Sequence, residues 1–130
     1  MTRDIIATDQ APGAVGPYSQ GIRTDQFVFT AGQIPLDPAT GSLVEGPIED
    51  QTRRVLDNVR AVLQAAGSGL DRVVKMTVFM TDFGDFKRMN AVYAEYFPDA
   101  PPARSAVQVS ALPLGVDIEM EAIALIANYE

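Results

Sequence analysis

The stretch Val116-Asp117-Ile118-Glu119-Met120-Glu121-Ala122-Ile123-Ala124-Leu125-Ile126 decides the architecture of this chain. Read with the two-residue period of a β-strand, its successive side chains point to opposite faces. Val116, Ile118, Met120, Ala122, Ala124 and Ile126 make one face, apolar throughout. Asp117, Glu119, Glu121, Ile123, Leu125 and Ala127 make the other, which turns apolar in its second half. A strand apolar on both sides is covered on both sides, and the preceding sequence says how much of that cover the chain itself supplies.

Immediately before it, Ala103 to Val109 reads as a strand, joined to the last one through the turn Leu112-Pro113-Leu114-Gly115 as a hairpin. A helix is expected from Phe83 to Phe97, presenting Phe86, Met89, Tyr93 and Tyr96/Phe97 to the core, with Pro98, Pro101 and Pro102 ending it. Val73 to Thr81 forms a strand with Val74, Met76, Val78 and Met80 on one face. A longer helix opens at Pro47, where proline is tolerated and Glu49 and Asp50 suit the positive end of the dipole. Ile48, Thr52, Val55, Leu56, Val59, Val62, Leu63 and Ala66 share one of its faces, and Gly67 offers a left-handed stop. Nearer the N-terminus, strands are expected at Arg3–Thr8, Tyr18–Ile22 and Phe27–Gln33, around a Pro/Gly-rich loop at Ala11–Pro17 and a turn at Asp37–Gly41. The order β-β-β-α-β-α-β-β predicts an α+β fold, a mixed β-sheet with two helices packed on one face. Two helices leave the other face to neighbouring subunits, so the patterning predicts a homo-oligomer.

Composition narrows the chemistry. The 130 residues fit one domain, 1–130, and 47% hydrophobic with 21% charged residues is a globular balance. No apolar run approaches the roughly 20 residues that span a bilayer. Met1-Thr2-Arg3-Asp4 lacks the start of a secretory signal, and the expected location is cytoplasmic. The absence of Cys excludes disulfides, thiol nucleophiles and thiolate metal sites. With no His either, the commonest general base and zinc ligand are missing, although a carboxylate-only Mg²⁺ site stays formally open. Catalysis falls to Asp, Glu, Lys, Tyr, Arg, backbone and water. Ten basic residues against 17 acidic ones, a net charge of −7, argue against a nucleic-acid partner.

Five positions could carry chemistry. Alternation places Arg104 with Ala106 and Gln108 on one strand face. A guanidinium among small apolar neighbours needs an anion, and its planar fork suits a carboxylate ligand. It suits equally a salt bridge to Glu119 or Glu121, which the expected hairpin sets opposite it. Those two glutamates could position a water, or be solvated rim charges. Tyr18 could close a pocket or only pack, and Gly32 could admit a ligand to its N–H or mark a bulge. Phosphate-loop, dinucleotide and Gly-x-Ser-x-Gly motifs are absent from the sequence.

Gly16-Pro17-Tyr18-Ser19-Gln20-Gly21, Thr30-Ala31-Gly32-Gln33-Ile34-Pro35, Gln51…Asn58-Val59, Pro102-Ala103-Arg104-Ser105 and Leu112-Pro113…Ile118-Glu119-Met120-Glu121-Ala122-Ile123-Ala124 occur together and in order. In this the chain resembles the reactive-intermediate deaminase family (Rid, also called YjgF) over nearly its whole length. The resemblance implies a homotrimer of chorismate-mutase-like α+β subunits with sites between them. It implies cofactor-free hydrolysis of the imines of 2-aminoacrylate or 2-aminocrotonate to 2-ketoacids and ammonia. It assigns carboxylate binding to Arg104, water activation to Glu119, site-lining to Tyr18, a backbone contact to Gly32 and a site-proximal place to Asn90. Ala31 stands where many active members have Ser, and Ala106 where several have Cys. A non-catalytic 2-ketoacid-binding regulatory trimer would use the same arginine. An RNA-cleaving role, sometimes attached to the family, sits poorly with the charge. Chorismate-mutase-like chemistry has only the fold behind it.

Overall fold

In a computed structural model, which describes residues 3–126, the elements follow the expected order. They are β1 (Asp4–Ile6), β2 (Gly21–Arg23), β3 (Phe27–Thr30), α1 (Ile48–Ala65), β4 (Val73–Met80), α2 (Phe86–Tyr96), β5 (Ala103–Gln108) and β6 (Ile118–Leu125). The strands form one sheet in the order β1-β2-β3-β6-β4-β5. Every pairing is antiparallel except β4 with β5, so the sheet is mixed.

The last strand lies mid-sheet, between β3 and β4, as a strand with two apolar faces should. Its Ile118, Met120, Ala122 and Ala124 join one buried cluster with Met76, Val78 and Met80 of β4. Val55, Leu56, Val59 and Leu63 of α1 and Met89 and Tyr93 of α2 close that cluster from above. Pro47 is the residue just before α1, with φ −65°, and Gly67 ends the helix region at φ +82°. Both helices cover the same face. On the other, Phe29, at 40% exposed, pairs with Ile123, and Val107 is 43% exposed. The second apolar face of β6 is therefore not covered by the helices; Ala127, expected on it, lies outside the described residues.

Three expectations are corrected. Ala103–Val109 and Val116–Ile126 do not form a hairpin: β4 separates β5 from β6. The unit β4-α2-β5 is a crossover, which is what joins parallel strands. On β4 it is Val73 that faces the core, with Val74 38% exposed, because the register with β6 shifts between Val73 and Lys75. The Phe27–Gln33 strand leaves the ladder after Thr30. Its chain then returns at Gln33, whose N–H donates to Met120 O at 2.7 Å. Between Phe29↔Ile123 and Gln33↔Met120 the β3 side carries one residue more than β6. That bulge lifts Ala31 and Gly32 out of the ladder.

Among the described residues no helix is long and apolar enough to cross a membrane.

Candidate active site

Arg104 sits on the edge strand β5, in register with the buried Met76, and therefore points to the helix side of the sheet. There α2 offers it a platform. The guanidinium carbon lies 4.7 Å from the centroid of the Tyr93 ring and 5.5 Å from that of Phe86. Its NH1 donates to Asn90 Oδ1 at 2.7 Å. Phe86, Asn90 and Tyr93 are spaced i, i+4, i+7, one stripe of a helix. Burial pushes the Tyr93 phenol up to about 12, against the opposing pull of Arg104, so the ring stays neutral beneath the cation. Ala106, two residues along β5, shares this face and packs on the core. Among the described residues no carboxylate forms an ion pair with Arg104, so the salt bridge to Glu119 or Glu121 is not made within the subunit. The guanidinium keeps donors for an outside anion.

Glu119 points the other way. It pairs with Phe79 while Ile118 and Met120 on either side are buried under the helices. Its carboxylate borders a cleft of ≈ 440 Å³ lined by Val15, Tyr18, Ala31, Gly32, Ile34, Pro113, Leu114 and Glu119 itself. Partial burial, then the like charge of Glu121, holds the Glu119 carboxyl above its ordinary value. The cation of β4, Lys75, lies four residues along that strand from Phe79, the partner of Glu119, and donates to Ser105 Oγ at 2.8 Å.

The cleft walls are held by buried amides. Gln20, 4% exposed, donates from Nε2 to the carbonyls of Thr8, Ala11 and Pro12, and its Oε1 accepts from Thr8 N–H. Its own carbonyl accepts from Ala31 N–H at 2.9 Å, which ties the Tyr18 loop to the bulge. Asn58, fully buried on α1, donates to Ile34 O and Leu36 O and accepts from Arg54. Among the described residues no group of three His, Cys, Asp or Glu side chains is placed to hold a metal ion.

Seven of the positions singled out from the sequence thus fall into two groups. Arg104, Asn90 and Ala106 gather on the helix side of the β5 edge, and Tyr18, Ala31, Gly32 and Glu119 gather at a cleft on the opposite side. Comparison with known proteins bears on this arrangement. The family model described as Endoribonuclease L-PSP matches residues 8–126. The chain belongs to this family, the YjgF/Rid proteins. A RutC family protein of Pyrococcus abyssi is 54% identical over 95% of this chain and 98% of its own length. The human 2-iminobutanoate/2-iminopropanoate deaminase is 44% identical over 96% of this chain and 91% of its own. Among solved structures, a Rid family protein of Yersinia pestis superposes with a TM-score of 0.93 at 48% identity, covering 96% of this chain and all of that one. Escherichia coli TdcF with bound serine superposes at 0.91 with 47% identity, covering 94% and 98%.

Sequence reasoning took Phe86 and Tyr93 as core residues and missed them as the Arg104 platform. The signal was present: Asn90 lies between them on the same helical stripe. Val15, Ile34, Pro113 and Leu114 were also missed as cleft walls. Only the loop geometry brings them together, with Leu114 in the left-handed region at φ +57° and its side chain 71% exposed.

Proposed function

We propose that this Rid family chain hydrolyses short-lived 2-imino acids to 2-keto acids and ammonia, in a site completed by two subunits of a trimer. The observation that carries the reading is the Arg104 guanidinium, which has no carboxylate partner among the described residues, stacked on Tyr93 and Phe86 and oriented by Asn90. It is a preorganised receptor for one carboxylate.

Arg104, with Asn90 and Ala106 beside it, grips the substrate's carboxylate at the β5 edge of one subunit. The neighbouring subunit presents the cleft of Tyr18, Ala31, Gly32 and Glu119. Glu119 takes a proton from water as its oxygen adds to the imine carbon, and returns that proton to the imine nitrogen. Glu119 then carries the carbinolamine's hydroxyl proton to the amine, which leaves as ammonia as the carbonyl forms. A carboxyl held above its ordinary range by burial suits this exchange better than a solvated one. The exposed edge strand β5 and the uncovered apolar face of β6 are the complementary surfaces such an assembly uses. Support from outside the chain is the human relative's name as a 2-imino acid deaminase and the serine bound in TdcF.

Generating the imine with a threonine dehydratase and trapping it with semicarbazide tests the reading: added protein should accelerate imine loss. No acceleration would refute it. The Ala31 methyl, offering the cleft no hydroxyl, then favours the second reading, a 2-ketoacid-binding regulatory trimer. Calorimetric 2-ketobutyrate binding that Arg104→Ala abolishes would establish that one.

A further inference from the structure

Gly32 does not need to be glycine for its backbone. The positive-φ glycines among the described residues are Gly41, Gly46, Gly67 and Gly115, and Gly32 is not one of them. Space is the reason. A Cβ built on Gly32 would overlap Glu119 Oε2, and would lie 2.9 Å from Glu119 Cδ and 3.2 Å from Cγ. These three atoms are its nearest neighbours, so the outer half of one side chain is what excludes a methyl group. Both backbones are fixed where they meet, by the paired hydrogen bonds between Gln33 and Met120 at 2.7 and 3.1 Å. The carboxylate therefore occupies the place where a side chain of residue 32 would stand.

We propose that Gly32 is a positioning residue whose missing side chain forms the seat of the Glu119 carboxylate and aims it into the cleft. The inference rests on the reading of Glu119 as the acid that handles water. It gives the bulge a purpose: one extra residue between Phe29 and Gln33 brings a side-chain-free backbone under the carboxylate. The charged groups around the seat are few. Glu121 shares its face of β6, and Asp117 beyond the strand end is taken by Gln51 of α1 at 2.8 Å. Lys75 lies four residues along β4 from Phe79, the partner of Glu119, and donates to Ser105, and Tyr18 lines the cleft from its loop. The segments 31–34 and 113–114 carry no charge.

Because the obstacle is the movable end of a side chain, Gly32→Ala should fold and assemble as wild type does while displacing the carboxylate toward water. Carboxylate NMR should then show the Glu119 titration midpoint falling toward the ordinary value. kcat for imine hydrolysis should drop about tenfold or more. In a Glu119→Asp background, where the acid already withdraws from the seat, the same substitution should change kcat by less than about threefold. An unchanged midpoint, an equal loss in both backgrounds, or failure of Gly32→Ala to fold would each overturn the proposal. Should wild type prove inactive on imines, the functional reading fails, and the NMR midpoint still decides the seat.

Discussion

Replacing Arg104 by lysine keeps a positive charge on β5 and removes the planar fork, and the geometry sets the size of each effect. The guanidinium is half-buried, 4.7 Å from the Tyr93 centroid, and gives one NH1 bond of 2.7 Å to Asn90. Its remaining donors are those a carboxylate would take side by side. A lysine ammonium meets the same carboxylate as a point charge and forfeits one of two parallel bonds. A hydrogen bond to a charged group contributes about 1.5–3 kcal/mol. At about 1.4 kcal/mol per tenfold, Arg104→Lys should lower kcat/KM by roughly 10- to 150-fold. Arg104→Ala, which leaves the substrate anion unpaired, loses about 2–5 kcal/mol and correspondingly more activity.

The fold should suffer much less. The Asn90 bond contributes about 1 kcal/mol and the ring contacts about 0.5–1 kcal/mol at a partly exposed site, part of which lysine retains. The assay is semicarbazide-trapped imine decay over a range of imine concentrations, with urea unfolding of the same preparation. Since the carboxylate is held alike before and during water attack, most of the loss should fall on KM. A lysine variant within about twofold of wild type, or one whose lost activity tracks its lost stability, would refute the role given to Arg104.

Glu119→Gln should cut kcat by about 10²–10⁴-fold with little change in KM, measured in the same assay. It should also change stability with a defined sign. A carboxyl whose folded value lies above its ordinary one adds stability below the ordinary value and loses it as pH rises through the folded value. Wild type and Glu119→Gln should therefore have similar urea midpoints near pH 4, with the variant the more stable at pH 7; the reverse order would show that Glu119 is stabilised as an anion. Ile123→Asp, on the uncovered face where Ile123 pairs with Phe29, should dissociate the proposed trimer in sedimentation velocity and abolish activity while the far-ultraviolet spectrum persists. An intact, active trimer would place the interface elsewhere.

The course of the chain was readable where local rules act alone. The apolar stripe of α1 and the double-faced alternation of β6 place both elements within a residue or two of where they lie. Pairing was not readable from alternation, which states which face a residue takes and nothing about its neighbour strand. Arg104 and Ala106 were correctly set on one face, yet the hairpin put that face opposite Glu119. The segment between the strands carried the missing information: a helix separates β4 from β5, and strand-helix-strand connections run parallel. The bulges at Val73–Lys75 and Thr30–Gln33 escaped for a related reason. An inserted residue is left unpaired by the partner strand, and no pattern in its own strand announces it.

The corrected topology changes what the two charged residues can do for each other. In a hairpin, Arg104 and Glu119 would have paired, satisfying the guanidinium and pulling the carboxyl down into the ordinary range. Each would then have been spent on the other, and neither would suit an imine's anion or a water's proton. Placed on opposite faces of one sheet, they cannot meet within a subunit, so the cation keeps its open donors and the acid keeps its proton affinity. In the proposed trimer they approach only across a boundary. There the substrate's own carboxylate would engage Arg104 and screen it from Glu119. On this view binding is what permits the charges to share a crevice, and the substrate's negative charge is part of the catalytic arrangement as well as its handle. An ester of the imino acid, which carries the same reacting carbon and no anion, should accordingly be a poor substrate through kcat as well as KM.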